Sequence, residues 1–458
     1  MDENKTNIEI ALDFLREKKF SMLKQILLEM NPADIAEFFK ELSNEELLLA
    51  FRITPKDQAA DAFIEMDAEE QETLIQSFSD SELKAVVEDL FVDEVVDIIE
   101  EMPANVVKRI LRFTDANTRS WVNEILKYPE DSAGSIMTVE YVRLKKNMTV
   151  DDAILHIRKN GIDKETIYTC YVTDLNNKLI GIVSAKSLLL SDGSELIEDI
   201  METNVIFFNT LDDKEDVANA FDKYDFMAIP VVDDEERLLG IITFDDAIDV
   251  LQDEATEDIE KMAAIIPSEK TYLKTGIYET WKQRIPWLLL LMVSATFTGK
   301  IITYFEGALA SCVVLTVFIP MLMDTAGNSG GQTSVTVIRS MSLGDVEMGD
   351  IFRILWKEFR VSVLCGLTLA IVNFFKMMIV DSASIAASGQ DPFAISLVVS
   401  LTLVVTIVIA KIVASILPVA AKKIGFDPAV MASPFITTIV DALALLVYFN
   451  IAKFLLGI

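Results

Sequence analysis

The stretch PFITTIVDALALLVYF, residues 434–449, places one carboxylate, Asp441, among apolar side chains. It lies in an apolar run from about residue 430 to 456, long enough to cross a ~30 Å hydrocarbon core as a helix. Four similar runs precede it, at about 286–305, 308–338, 356–380 and 393–419. A buried helix of a soluble domain is shorter and would not recur in this way. Residues 285–458 therefore read as an α-helical transmembrane domain with five spans. A charge within such a span is costly unless it meets water, a cation or a partner. Asp441 is a functional candidate on that ground, with a hydroxyl such as Thr437 as the alternative partner.

The charge balance divides the chain at about residue 270. Of 40 basic and 72 acidic residues, 13 and 11 lie in 271–458, which leaves 27 and 61 in 1–270. A net charge of -32 argues against nucleic acid as a partner. Three scattered cysteines, Cys170, Cys312 and Cys365, suggest reduced thiols instead of a disulfide scaffold or zinc site. The single histidine, His156, excludes a multi-histidine metal site and histidine-based catalysis. No nucleophile–base pair or phosphate loop supports an enzyme. The acidic N-terminus has no secretory signal, so the acidic part is expected in the cytosol. Arg339, Arg353, Lys357, Arg360 and Lys422-Lys423 flank loops on the same side as that part, whereas Glu306, Asp381 and Asp391 flank the opposite ones. The positive-inside rule then puts the C-terminus outside a multi-pass cell-membrane protein. Lys376 and Lys411, scattered within spans, read as snorkelling or lipid-facing.

Residues 1–128 show apolar residues at three- and four-residue spacing, with helix-start signals about every 24 residues. They predict an all-α superhelical N-domain. From 129 to 255 two segments share one order of elements. One runs from Ile136-Met137 to YVTDLNNKLIGIVSAKSLL, the other from Ile200-Met201 to IPVVDDEERLLGIITFDDAIDVL. This duplication resembles tandem α/β CBS domains, which are usually regulatory. Such domains often hold a nucleotide through a Ser/Thr and an Asp three positions apart. The second repeat keeps them as Thr243 and Asp246, while the first has Ser184 and Ser187. That leaves one ATP site open, against the repulsion of neighbouring acids.

The motifs EDSAGSIM (130–137), EATEDIEKM (254–262), PMLMDTAGNSGGQ (320–332) and GFDPAVMASPFITTIVD (425–441) complete the order of parts. With a connecting (plug) helix over 256–284, the multidomain chain resembles the MgtE-type magnesium channels. That resemblance implies a homodimer in the lipid bilayer with its pore on the two-fold axis, closed by cytosolic Mg²⁺. It places Asp441 as the ion-selecting acid and leaves the role of Asp324 open. Thr437, Thr438, Asn328, Gln332 and backbone near Gly327 could contact the hydrated ion, since Mg²⁺ prefers oxygen ligands and sheds water reluctantly. The resemblance also puts regulatory Mg²⁺ against Asp93, Asp97, Asp213, Glu215, Asp225, Asp246, Asp249, Glu254, Glu257, Asp258 and Asp427. The ligand types do not separate Mg²⁺ from other divalent cations. A CBS-regulated, ion-coupled exchanger is the competing transport reading, although five spans cannot form two equal inverted halves. A membrane-anchored nucleotide sensor without transport is the other, and Asp441 argues against it.

Overall fold

Helix starts recur every twelve positions through the N-terminal part: Asn31, Ser43, Pro55, Asp67, Ser79, Phe91, Pro103 and Asp115 each precede a helix. The 24-residue period is two of these units. In the computed structural model, which describes residues 6–268, 272–273, 275–431 and 433–457, α1 is Asn7–Arg16 and α2 is Phe20–Glu29. Helices α3–α10 follow at Pro32–Lys40, Asn44–Ile53, Lys56–Ile64, Ala68–Ser77, Asp80–Val87, Val92–Glu101, Ala104–Phe113 and Ala116–Ile125. Helices this short are marginal alone, so packing must hold them. Many pack on the next but one, as in α1 on α3, α2 on α4, α3 on α5, α4 on α6, α7 on α9 and α8 on α10. Phe38, Phe39, Phe51, Phe63 and Phe78 join through their rings along the core of this stack.

The two repeats fold as three-stranded sheets of the same design. The first has β1 (Tyr141–Lys145), α11 (Val150–Asn160), β2 (Thr166–Thr173), β3 (Leu179–Ser184) and α12 (Ala185–Leu190). After α13 (Ile197–Ile200), the second has β4 (Phe208–Asn209), α14 (Lys214–Tyr224), β5 (Ala228–Val232), β6 (Leu238–Thr243) and α15 (Phe244–Met262). In each, the first strand pairs parallel to the second and the second antiparallel to the third. The repeats also exchange their leading segments. Thr138 bridges to Ile241 on β6, and Glu202 bridges to Ile182 on β3. A side chain at Gly240 would collide with the Thr138 carbonyl, and one at Gly181 with Met201. Those two glycines admit the exchanged chains.

The chain divides into two compact units, Met1–Leu251 and Gln252–Ile458. In the second lie α16 (Ile277–Tyr304), α17 (Glu306–Ser311), α18 (Ile319–Ser342), α19 (Ile351–Lys376), α20 (Ser382–Ala387), α21 (Pro392–Lys423) and α22 (Ser433–Leu456). Helix α18 packs on both α21 and α22, and α19 packs on α21. Among the described residues four helical stretches are long and apolar enough to cross a membrane: Ile277–Tyr304, Met348–Ala387, Pro392–Lys423 and Pro428–Leu456.

Three expectations need correction. The run 308–338 is not one helix: a 3₁₀ turn, Val313–Phe318, precedes α18, whose first turn holds Pro320. Proline suits that position because its missing N–H would have no partner there. Nor is 256–284 one connecting helix. Residues up to Met262 continue α15 out of the second repeat, and α16 starts at Ile277; residues 269–271 and 274 lie outside the described set. Lys411 does not face lipid. It is 6 % exposed and turned toward Glu358 and Thr333, because an ammonium near the middle of a long apolar helix gains more from a buried carboxylate than from reaching for water.

Candidate cation sites

In the second unit, the glycines of α18 set the geometry. A side chain at Gly327 would come within 2.8 Å of the Thr437 methyl on α22, so the two helices approach closely there. Asp324, Asn328 and Gln332 recur every four residues on α18 and form an exposed polar stripe. Asp441, on α22, is half-buried; its Oδ1 is buried and has no hydrogen-bond partner. Asp324 is the acid whose field acts on it. The Thr438 hydroxyl donates to the Pro434 carbonyl at 3.0 Å and is committed to its own helix. Of the residues expected around an ion, the fold thus brings Gly327 and Thr437 together and presents Asn328 and Gln332 on one face.

In the first unit, α8 and the start of α15 bring acids together. Asp93 is 7 % exposed and its Oδ1 has no hydrogen-bond partner. Burial, then the charges of Asp246, Glu165, Glu94 and Asp97, hold its carboxyl well above the usual range. Burial also pushes Glu94 up to about 7, against the hydrogen bond it accepts from the Phe91 N–H at 2.6 Å. Asp97 stands at the solvent-exposed rim, yet the protein around it and then Asp246 push it up to about 7. Glu165 rises to about 8 through burial and then Glu94 and Asp245. Asp246 rises to about 6 through burial, although the Thr243 hydroxyl donates to it at 2.5 Å and works the other way. That contact joins the Thr–Asp pair of the nucleotide motif to itself. Ser184 and Ser187 lie 2.8 Å apart in the same way.

The other expected acids have different surroundings. Asp213 caps the start of α14, accepting from the Glu215 N–H at 2.9 Å, and Asp225 ends that helix in a left-handed conformation. They occupy opposite ends of an 11-residue helix, about 16 Å long, and cannot share one ion. Asp249 is exposed and Glu254 half-buried on α15. Glu257 and Asp427 are bridged by a cation of the chain itself: Lys261 Nζ lies 2.5 Å from Glu257 Oε1 and 2.7 Å from Asp427 Oδ2. Burial opposes the charge on Lys261, but the hydrogen bonds to Asp427 and Glu257 outweigh it and raise its pKa. Asp258 accepts from the Ser342 hydroxyl at 3.2 Å, and burial raises its pKa.

Among the described residues no group of three or more His, Cys, Asp or Glu side chains is arranged to hold a metal ion. The acids crowd one another without converging on a centre. Their chemistry nevertheless fits Mg²⁺: the donors are carboxylate oxygens, and Asp93 supplies one that is buried and unused. Sequence reasoning missed Glu94, Glu165, Glu358 and Lys261. Glu94 stands beside Asp93 and Lys261 one helical turn after Glu257, so both could have been found as neighbours; Glu165 and Glu358 carry no local signal.

Comparisons with known proteins follow the same divisions. A family model described as the MgtE intracellular N domain matches residues 30–131, and CBS domain models match 133–192 and 197–253. The MgtE divalent cation transporter model matches 319–451. A magnesium transporter MgtE of Thermus thermophilus is 33 % identical over 447 residues, covering 96 % of this chain and 97 % of its own. One from Bacillus subtilis is 32 % identical over 455 residues, covering 99 % and 98 %. A crystal structure of the cytosolic domain of the Mg²⁺ channel MgtE in complex with ATP aligns at a TM-score of 0.51 and 33 % identity. It covers 53 % of this chain and 99 % of that one.

Proposed function

The chain belongs to the MgtE family of divalent cation transporters, and we propose that it is a Mg²⁺-selective channel for magnesium uptake, closed by cytosolic Mg²⁺. The single observation that carries the reading is Asp441. Its buried oxygen lacks a partner in a helix apolar enough to cross a membrane, and a carboxylate kept there without a partner calls for a cation. The polar stripe of α18 supports it, because Asp324, Asn328 and Gln332 would be costly against lipid and favourable beside a hydrated ion. We read the assembly as a homodimer in which two copies of that stripe and of Asp441 face one axis. Helix α18, with 24 residues or about 36 Å, then serves as the second of five spans in chain order, with the N-terminus in the cytosol and the C-terminus outside.

Mg²⁺ sheds water reluctantly, so Asp441 and the stripe would hold its hydration shell, with Thr437 and the backbone by Gly327 within reach. Regulation follows from the acids of the first unit. Two carboxylates at ~5 Å repel by about 3 kcal/mol at an effective dielectric near 20. Closing the N-domain on the CBS pair over Asp93, Asp97 and Asp246 is therefore unfavourable until cations offset the charge. ATP, bound by the relative's cytosolic domain, would meet Thr243 and Asp246 here and compete with that acidic set. The decisive test is divalent flux into liposomes carrying the full chain. Asp441→Asn keeps the shape and removes the charge, so it should lose selectivity for Mg²⁺; unchanged selectivity would refute the pore assignment.

A further inference from the structure

Lys411 lies near the middle of α21, and its ammonium donates to Thr333 Oγ1 at 2.8 Å and to Glu358 Oε2 at 3.4 Å. Thr333 Oγ1 in turn donates to the same Glu358 oxygen at 3.0 Å. Three helices, α18, α19 and α21, meet in that triangle. The Lys411 and Glu358 side chains are 7 % and 13 % exposed. Apolar residues of similar volume are often as stable as a buried ion pair, so stability alone does not account for it.

What the pair adds is registration. Around Gly330, α18 packs against Ile436 and Val440 of α22 and the Ala410 carbonyl of α21. Contact between small residues is close but permits a helix to roll. A hydroxyl bonded to two opposite charges on two other helices does not. Thr333 is 2 % exposed and directly follows Gln332, the last member of the exposed stripe. Rolling α18 by one residue, about 100°, would pull Thr333 out of the triangle and turn the stripe into the packing.

We infer that Thr333, Glu358 and Lys411 are positioning residues that fix the rotation of α18, and with it the face presented to the cation path. The inference rests on reading the stripe as part of that path, and the test separates the two. Full-length protein is reconstituted with Cys170, Cys312 and Cys365 replaced, and one thiol is introduced by Asn328→Cys or by Ser329→Cys. Rates of modification by a membrane-impermeant methanethiosulfonate are compared; position 328 is exposed and 329 is 8 % exposed, so the first should react faster. Glu358→Gln with Lys411→Met removes both charges together, and Thr333→Val removes only the hydroxyl. Each should lower the 328-to-329 rate ratio about tenfold, and Thr333→Ser should restore it. Should the pair variant fail to fold, Thr333→Val decides alone, since it leaves the charges paired. An unchanged ratio with a lowered melting temperature would show a merely structural pair and overturn the inference. A shifted ratio with intact Mg²⁺ selectivity would uphold registration and overturn the reading of the stripe as the path.

Discussion

At Gly327, one missing methyl group decides how near α18 can come to α22. A Cβ there would stand 2.8 Å from the Thr437 methyl, closer than packed carbons tolerate, and Thr437 is β-branched and cannot swing aside easily. Gly327→Ala should cost about 1–3 kcal/mol by overpacking and reduce Mg²⁺ uptake. Thermal unfolding in detergent and flux in liposomes measure the two effects. In the acidic cluster the residue-scale variable is the proton. Glu94, Asp97, Asp246 and Glu165 are all pushed up, to about 7, 7, 6 and 8. The folded unit therefore holds protons that the unfolded chain releases near pH 4. Its stability must fall as the pH rises from about 4 through 8, the reverse of a salt-bridged carboxylate. With a chelator present, the melting temperature should drop between pH 5.5 and 8, and Asp97→Asn should flatten the drop. A melting temperature that rises over that interval would contradict the assigned crowding. Asp93, Asp97 and Asp246 were named from the sequence through the family resemblance, and the fold places Asp246 near the two acids of α8. Glu165 was not, since only the fold carries that turn to α8.

Among the elements, α15 shows both what a sequence reveals and what it hides. Its acids, its apolar spacing and the EATEDIEKM motif mark a helix at the end of the second repeat, and the helix is there. What the sequence hides is a boundary at 255–256, because no proline or glycine separates the repeat from the connector and the helix runs on from Phe244 to Met262. A 24-residue recurrence in the N-domain was legible for the complementary reason, since start signals mark where a helix must satisfy free N–H groups; its division into twelve-residue units shows only in the fold. Contacts between helices leave no such trace. Glu358 and Lys411 are 53 positions apart, and nothing local announces their pairing. Lys261 follows Glu257 by one helical turn, but its second partner, Asp427, belongs to a distant loop. This lysine gives the Glu257–Asp427 contact a cation without a metal. In Lys261→Met the two carboxylates would repel, so the end of α15 should lose hydrogen-exchange protection in chelator by several-fold and regain it in millimolar Mg²⁺. The parent should keep most of its protection in both. Equal protection of parent and variant in chelator would show that the ammonium does not hold the contact.

For the whole molecule, the acidic part carries 61 acidic against 27 basic residues, and the question is whether bulk salt or specific ions let it close. At 0.15 M salt the Debye length is about 8 Å, so remote charges are already screened and close acid pairs dominate. One site filled at ten times its dissociation constant shifts an equilibrium by about 1.4 kcal/mol. Taking an open state from 99:1 to 1:99 needs about 5.5 kcal/mol. If Mg²⁺ closes the chain as proposed, on the order of four weak sites would have to act together; among the described residues no three acids are gathered into one cage. Limited proteolysis of the full chain should show the N-domain protected on the CBS pair in millimolar Mg²⁺ but not in Na⁺ at equal ionic strength. Lowering the pH to about 5.5 should mimic part of the Mg²⁺ effect, because protons then neutralise Glu94, Asp97 and Glu165 in its place. Asp93→Asn with Asp97→Asn and Asp246→Asn should give protection independent of Mg²⁺, since the repulsion that opposes closure is gone along with the ligands. Protection by Na⁺ equal to that by Mg²⁺ would reduce the effect to screening. A triple variant that still needed Mg²⁺ to close would move the sensor away from α8 and α15, toward the remaining acids of the N-domain.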